Sequence, residues 1–336
     1  METEQTRYGA DKSGLLCGYY FEPGKAARAI SAEEGSLFLS APPAAAATGF
    51  LWLHFNLANV ASERWLRQRE LPDAFYAALG HVQSTRVEID GTAVIAVIND
   101  VAAFSVDASD VSTLVLCVQD RLLVSARHTP VRSMDRLRES VKSGETFRSA
   151  MELLAHLLRD QAAVMSIVVR DATGQVDRVE DKFMASEFGE SRARLGGLRR
   201  VLVRLQRLLA PEPAALFRLL NRPPVWIGSE DVQDLRQSAE EFAVAVADCA
   251  ALVERVRLLQ EEVSAVVSEQ TNRTVFILTV VTVAALPMTI IPGLFGMNIH
   301  GLPLQDHSEG FWILVVLVSV LSTLCATLML RRATDA

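Results

Sequence analysis

Residues 274–298, TVFILTVVTVAALPMTIIPGLFGMN, carry no charged side chain and decide the architecture of this chain. A second uncharged stretch, 311–330, reads FWILVVLVSVLSTLCATLML and is followed directly by Arg331 and Arg332. Within them, 274–295 and 311–330 each have about 20 residues, the length that a helix needs to cross the hydrocarbon core of a bilayer. We therefore predict two transmembrane helices near the C-terminus, over 274–295 and 311–330, in preference to a pair of buried core helices.

Basic residues lie at the outer ends of these two stretches and are absent from the segment that connects them. Arg273 precedes the first span and Arg331 follows the second, whereas the connecting segment 296–310 contains no lysine or arginine. Because cytosolic flanks of membrane helices are enriched in basic residues, we expect both termini in the cytosol and 296–310 outside. The polar N-terminus does not resemble a signal peptide, so a cytosolic domain is expected before Arg273.

The composition of the 336-residue chain narrows its class further. The formal net charge is −7, and no cluster of basic and aromatic residues occurs, so we do not expect a nucleic-acid partner. The four cysteines have no CxxC spacing and are expected to be reduced, without a disulfide or zinc framework. No GxxxxGK[ST] loop is present, so transport driven by a P-loop ATPase module is not expected.

The N-terminal part has the pattern of an α+β domain. LWLHFNL at 51–57 predicts a strand, and alternating runs on either side of Asp90-Gly91 predict a hairpin. A second hairpin is predicted around Gln119-Asp120, and residues 63–80 predict one helix ending at Gly80. Helices must cover the apolar faces of such a sheet, which gives an α/β/α arrangement.

A helical pattern replaces the strand pattern from Thr146 onward. Apolar residues recur at helical spacing, with a break expected at Pro211 and Pro213. The next helix, expected to be capped by Ser229, contains no proline before Pro287 and keeps a 3–4 apolar spacing. It therefore runs from the cytosol into the membrane over roughly 100 Å. A helix of this length cannot bury its apolar seam alone, which predicts self-association around an axis.

These signals divide the chain into seven segments. They are a cytosolic mixed α/β domain (1–145), a cytosolic helical hairpin (146–228), a stalk helix (229–273), a pore-lining transmembrane helix (274–295), an extracytosolic loop (296–310), a second transmembrane helix (311–330) and a cytosolic tail (331–336).

The end of the first span carries the resemblance to a known family. Gly296-Met297-Asn298 matches the GMN signature of the CorA superfamily of divalent-cation transporters, and Asn272, LPMT at 286–289 and Gly293 match the residues upstream. The resemblance implies a funnel-shaped homopentamer in a bacterial inner membrane, with the first span of each subunit lining one pore. It also implies a transporter that is not an enzyme and needs no cofactor, with selection of the cation at Gly296, Met297 and Asn298.

The residues after the signature point to one branch of this superfamily. Gly301-Leu302-Pro303 resembles the ZntB zinc transporters, although His300 replaces a glycine of that pattern. The resemblance implies Zn²⁺ as the cargo, with Co²⁺, Ni²⁺ or Cd²⁺ tolerated and Mg²⁺ carried less well. Two alternatives stay open at this point: a CorA-type Mg²⁺/Co²⁺ channel, and a membrane-anchored scaffold or sensor.

A mixed polar and apolar stripe on the first span is the predicted pore lining. A polar stripe prefers a water-filled lumen or a protein interior to lipid, although threonine and glycine also serve helix packing. Leu286, with Val275 nearer the cytosol, is expected to form hydrophobic rings that gate by dewetting. The stripe follows 3–4 spacing through Asn272, Val275, Thr279, Thr282, Leu286, Thr289 and Gly293.

The stripe contains no carboxylate, so we expect the cation to pass with its water shell and to be contacted through that water. Side chains of the outer loop are the candidate metal ligands, because fivefold repetition makes rings of them: His300, Asp306, His307 and Glu309. In the magnesium branch a regulatory carboxylate lies on the long helix. Counting back from Asn272 places Gln237 there, with Asp234, Glu240 and Glu241 as possible substitutes.

Overall fold

Strands from the N-terminal half form one mixed sheet in the computed structural model, which describes residues 9–40, 49–80, 85–102, 111–184, 191–296 and 309–334. In these residues the sheet has seven strands in the order β2-β1-β3-β7-β6-β5-β4. Only β3 and β7 pair in parallel among these neighbours. The strands are β1 (Leu15–Phe21), β2 (Arg28–Ala29), β3 (Phe50–Asn56), β4 (Arg86–Asp90), β5 (Ala93–Val101), β6 (Val111–Gln119) and β7 (Leu122–Arg127).

Both predicted hairpins are confirmed. Asp90 pairs with Ala93 across the turn, where Gly91 has φ +60°, a conformation that glycine adopts without the Cβ penalty. The second turn is closed by the pairing of Gln119 with Leu122. Local turn residues therefore fix the register of both hairpins, which supply four of the seven strands.

Helices cover both faces of the sheet, as the α/β/α prediction requires. Side chains alternate along the strands: Leu51 and Leu53 of β3 face one core, and Trp52 faces the other. The first core also contains residues of α1 (Ala32–Ser40), α2 (Val60–Arg67) and α3 (Asp73–Leu79). The second contains residues of α4 (Arg132–Lys142), α5 (Ala150–Met184), α7 (Pro211–Asn221) and the start of α8 (Ser229–Phe295).

The single helix predicted over 63–80 is wrong. The chain forms α2 and α3 there, separated by residues 68–72. Asn59 caps α2 by accepting the Ala61 N–H at 3.0 Å, and Pro72 stands at the N-cap position of α3. Proline disfavours a helical conformation of the residue before it and has no N–H to continue the ladder, which explains the break.

Proline also separates α6 (Ser191–Leu209) from α7, as predicted. Pro211 is the first residue of α7, a position where its missing N–H would have no helical partner. Ser229, predicted as the cap of the following helix, is instead its first helical residue. The Gly228 carbonyl accepts the Val232 N–H at 3.0 Å, so the helix begins around Gly228.

Helix α8 is continuous over 67 residues, as the absence of early proline predicts. The chain divides into two compact units, Met1–Gln260 and Glu261–Ala336. The division falls inside α8 and within the segment predicted as a stalk.

The second unit contains the C-terminal part of α8 and α9 (Gly310–Thr334) among its described residues. Both helices are long and apolar enough to cross a membrane. Phe311 and Trp312 are exposed at the start of α9, where aromatic rings commonly mark the interface of a bilayer. The predicted positions of the two spans therefore coincide with helices.

A buried carboxyl joins the sheet to two helices in the first unit. Glu212, in the first turn of α7, is fully buried and accepts the Asn99 backbone N–H at 2.6 Å and the Gln161 side-chain N–H at 2.7 Å. Both partners are neutral. Burial raises the pKa of Glu212 well above its ordinary value of 4.5, because the neutral acid avoids the cost of a buried charge.

Replacing Glu212 by glutamine should reduce the loss of stability with rising pH. A raised carboxyl pKa means that its full stabilisation is present below about pH 4.5 and is lost as the pH rises through the folded-state value. Each unit of pKa displacement corresponds to about 1.4 kcal/mol. We expect the midpoint of thermal unfolding of the detergent-purified full chain, measured from pH 5 to 9, to fall less steeply in Glu212→Gln.

The matched control is Glu240→Gln, since Glu240 is exposed on α8. This variant should keep the pH slope of the unmodified chain. Asp100, whose pKa is also raised by burial, remains in both proteins, so some slope should persist. Equal slopes for Glu212→Gln and the unmodified chain would contradict the assignment of a neutral buried acid.

Candidate functional site

The predicted pore stripe lies on a face of α8 that its own chain leaves open. Successive residues of a helix are rotated by about 100° around its axis. By this rotation, the stripe and the shielded positions of α8 lie on nearly opposite sides of the helix. Most positions of this part of α8 are exposed, and they include every position of the stripe: Asn272, Val275, Thr279, Thr282, Leu286, Thr289, Gly293 and Gly296. The partly or fully shielded positions are Phe276, Val280, Val283, Ala284, Pro287, Ile291 and Phe295.

The threonine hydroxyls of the stripe donate their protons to the helix that carries them. Each then presents only oxygen lone pairs outward, so each can accept a hydrogen bond but has no proton left to donate. The hydroxyl-to-carbonyl distances are 2.8 Å for Thr279 to Val275, 2.8 Å for Thr282 to Leu278 and 3.0 Å for Thr289 to Leu286. Outward lone pairs suit water molecules that are polarised by a cation, since such water is a strong donor.

Two prolines lie inside α8, at Pro287 and Pro292. Neither has an N–H, so the carbonyls of Val283 and Met288 lose their usual i+4 donors. Near the end of the helix the Gly296 N–H bonds to the Pro292 carbonyl at 2.8 Å. A Cβ at Gly293 would meet no atom within 4 Å in the same chain, so intrachain crowding does not explain this glycine.

The outer part of the candidate site is only partly described. Gly296 is exposed at the end of α8, and Glu309 is exposed just before α9. Met297, Asn298, His300, Asp306 and His307 lie outside the described residues. The predicted roles of these five residues therefore stay predictions.

Two of the acidic residues near Gln237, Asp234 and Glu241, have partners within the chain. Arg148 contacts the carboxylate of Asp234 and lies 3.1 Å from Asp231 and 3.2 Å from Glu152. Gln237 itself donates to Glu241 at 2.9 Å. Binding of a metal at Asp234 would have to displace Arg148, and Gln237, the position predicted to correspond to the magnesium-branch carboxylate, is a neutral amide.

Arg148 was missed by the sequence reasoning, although a local signal marks its surroundings. Ser149 and Glu152 form an S-x-x-E capping pattern: the Ser149 hydroxyl accepts the Glu152 N–H at 2.9 Å. The Glu152 carboxylate accepts the Arg148 N–H at 2.6 Å. The cap holds the start of α5, from which the Arg148 side chain reaches Asp231 and Asp234 near the start of α8.

Two histidines of the first unit, His54 and His156, have structural partners. Burial lowers the pKa of His54 well below its ordinary value, and its Nε2 accepts the Arg127 Nε–H at 3.0 Å, so Nδ1 carries the proton toward Ser125. The neighbouring Asp160 carboxylate raises the pKa of His156. Across the described residues, no group of three or more His, Cys, Asp or Glu side chains is arranged to hold a metal.

Comparison with known proteins assigns the chain to a family. The profile of the CorA-like Mg²⁺ transporter protein family matches residues 47–332. The chain belongs to this family. Both the second predicted span and the GMN residues fall inside the match, and divalent-cation transport is therefore the class of activity to which this CorA-family chain belongs.

Individual relatives agree with this assignment over most of the chain. The chain is 25% identical to the divalent cation transporter CmaX of Pseudomonas aeruginosa, covering 95% of this chain and 96% of that protein. It is 26% identical to the zinc transport protein ZntB of Yersinia pseudotuberculosis, covering 87% of this chain and 90% of that protein. The solved structure of full-length CmaX matches 96% of this chain and 98% of that one, with a TM-score of 0.80 at 23% identity, which confirms the fold.

Leu286→Asn should produce a leaky pore in this CorA-family protein. Leu286 is exposed in the middle of the polar stripe, and amides at its position would wet a hydrophobic constriction. We expect basal cation flux into proteoliposomes to rise severalfold. Met288→Asn makes the same kind of change at an exposed position off the stripe and should not raise the flux. Unchanged or lower flux in Leu286→Asn would exclude a hydrophobic gate at this residue.

Proposed function

We propose that this protein carries divalent cations, with Zn²⁺ preferred, through a central pore formed by α8 in a homopentamer. The observation that carries the proposal is the polar stripe of α8, which its own chain leaves exposed over the whole length of a membrane span. Both termini are proposed to be cytosolic, in keeping with the basic residues that flank the spans.

The exposed stripe supports association of several chains around an axis. Hydroxyls and carbonyls that face lipid tails lack partners, so a stripe of this kind is stable next to water or another helix. Pro287, on the shielded side, is buried within the chain, whereas the opposite side has no cover of its own. Copies placed around an axis would turn the stripes toward a shared lumen. Five copies are expected from the family resemblance.

A pore with this lining suits a hydrated cation. The stripe offers hydroxyl lone pairs and no carboxylate, and a divalent ion gives up its inner water reluctantly when no anionic ligand replaces it. At the outer mouth, five Asn298 amide oxygens with Gly296 carbonyls nearby would accept hydrogen bonds from coordinated water. Selection would then depend on the size of the pore and on the orientation of these dipoles.

The membrane potential is sufficient to drive uptake. A 2+ ion that moves into a cell with a negative interior gains about 4.6 kcal/mol per 100 mV. The sequence contains no P-loop that would couple ATP hydrolysis to movement. No carboxylate or histidine occurs in 274–298 or 311–330, so proton coupling through such a group would need residues outside the two spans.

The preference for zinc rests on the outer segment. Gly301-Leu302-Pro303 resembles the ZntB branch, and His300 and His307 supply imidazoles, which are better ligands for zinc than for magnesium. The relatives named ZntB support this choice, whereas the name of CmaX specifies only a divalent cation. A Mg²⁺/Co²⁺ channel is the alternative. A tethered scaffold or sensor leaves the exposed polar stripe without a role.

Asn298→Ala should abolish transport while the oligomer stays intact. The amide is proposed to contact the hydrated ion at the outer mouth, and the long α8 helix is proposed to hold the assembly. Flux of Zn²⁺ and Mg²⁺ into proteoliposomes should fall at least tenfold, and native mass spectrometry in detergent should still show a pentamer. Full flux in a correctly assembled variant would rule out the role of Asn298, and a stable monomer or dimer of the unmodified chain would rule out the pentamer.

Zinc should enter proteoliposomes faster than magnesium, which is the direct test of the proposed function. Replacing His300 and His307 together by alanine should slow Zn²⁺ uptake severalfold and leave Mg²⁺ uptake nearly unchanged. The difference should disappear below about pH 6, because a protonated imidazole is not a ligand and repels cations. His128→Ala, at an exposed position before the long helices, is the matched control. Equal zinc and magnesium uptake by the unmodified protein would refute the zinc preference but not divalent-cation transport.

A further inference from the structure

Helix α6 carries an unusual concentration of positive charge. It contains six arginines and no acidic residue, and its leucines Leu195, Leu202, Leu205 and Leu209 are buried against the rest of the first unit. Of the arginines of α6 whose side chains the structure describes, Arg194, Arg199, Arg200, Arg204 and Arg207, none forms an ion pair with a carboxylate. Arg199 contacts only an amide, that of Gln260, at 3.5 Å. The charge of this helix is therefore not neutralised by the described part of the chain.

Part of this charge lines a cavity of about 970 Å³ between α5, α6 and the start of α4. Three arginines of α6 contribute, Arg194, Arg200 and Arg204, together with Arg132 of α4. The single acidic residue among the lining side chains is Asp171, whose carboxylate accepts the Gln175 amide N–H at 2.9 Å. The lining therefore has a clear excess of positive charge.

The remaining wall of the cavity is apolar. Ile167 is 53% exposed toward solvent although it lines a concave surface, and Leu198 and Val201 also line the cavity. Gly197 faces open space, since a Cβ there would meet no atom within 4 Å. A glycine in the middle of a helix costs about 1 kcal/mol relative to alanine, and at this position it leaves part of the cavity unfilled.

We propose that this cavity binds a nucleoside triphosphate or a closely similar polyphosphate with a flat apolar body. Guanidinium groups match phosphate oxygens in bidentate geometry, and several arginines together complement a triphosphate. The apolar wall at Ile167 and Leu198 accommodates the base. The volume falls in the range of small-molecule sites, roughly 300–1,000 Å³. The site has no P-loop and is assigned binding only, without hydrolysis.

The test is calorimetric titration of the full chain, purified in detergent, with ATP, adenosine and inorganic tripolyphosphate. ATP should bind, tripolyphosphate should bind more weakly, and adenosine alone should not bind measurably. Addition of phosphatidylglycerol to the micelles should not displace ATP, because the site belongs to the soluble part of the chain. No binding of ATP at millimolar concentration, or displacement by the lipid, would overturn the proposal.

Four variants locate the site. Arg200→Gln with Arg204→Gln should weaken ATP binding tenfold or more, as expected for lost charge-assisted hydrogen bonds. Arg207→Gln removes one positive charge from α6 outside this cavity and should change the affinity less than twofold. Asp171→Asn should tighten binding, because it removes the one acidic group facing the phosphates. Gly197→Phe should prevent binding by filling the cavity without a change of charge.

Native mass spectrometry of every variant shows whether the arginines bind a ligand or instead contact a neighbouring subunit. If the cavity serves a ligand, all four variants keep the oligomeric state of the unmodified chain. If the double arginine variant dissociates into smaller species, the arginines hold a neighbouring copy, and the proposed ligand site is wrong. Equal loss of ATP affinity in Arg207→Gln would show general attraction by the basic helix and would also overturn the site.

Discussion

In a bilayer, every polar group on a spanning helix needs a partner inside the protein or in enclosed water. The C-terminal part of α8 meets this constraint only in part. Its threonines direct their protons to the carbonyls of their own helix, as Thr279 does to Val275, yet their oxygens stay open to the outside. Pro287 and Pro292 remove two further backbone donors. The proposed pore follows from this imbalance, because the exposed face of the helix needs an aqueous or protein surface opposite it.

An uncharged lining has consequences for the ion chemistry. Carboxylates near the path would bind a divalent cation tightly and slow its release, whereas hydroxyl and amide oxygens hold its water shell weakly. Net attraction must then come from the membrane potential and from residues outside the span. Arg148 already occupies the carboxylate of Asp234, and Gln237 is neutral, so among the predicted substitutes on this stretch of α8 the exposed Glu240 is the one whose side chain carries no ion pair or hydrogen bond to the described part of the chain.

The first unit combines a rigid sheet with polar contacts between its helices. Arg148 connects the beginning of α5 to the beginning of α8, and Arg255 of α8 reaches Asp177 at 2.8 Å and Glu180 at 2.5 Å, both on α5. The buried acid Glu212 connects α7 to the sheet and to α5. Each contact joins residues far apart in sequence, so the placement of α8 on this unit depends on α5. The arginine-lined cavity lies beside α5 and is open to solvent.

The sequence by itself determined the features that depend on neighbouring residues. Two uncharged runs of membrane length, the turn at Asp90-Gly91, the break at Pro211 and the uninterrupted α8 are all local signals, and each has a direct physical cause in hydropathy or backbone geometry. The stripe through Thr279 and Leu286 was also readable, because helical periodicity places residues three and four apart on one face. The GMN residues identified the family, although most of that segment lies outside the described residues.

Only the tertiary structure decided which distant segments meet. The parallel pairing of β3 with β7 brings Leu51 beside Leu122, and no local pattern specifies that partner. The contact of Arg148 with Asp234 and the grouping of Arg132 with the arginines of α6 likewise depend on long-range folding. The break in the helix predicted over 63–80 is different, because Pro72 is a local signal that the prediction did not use. Charge and hydropathy show which residues need partners, but the partners are set by the three-dimensional path of the chain.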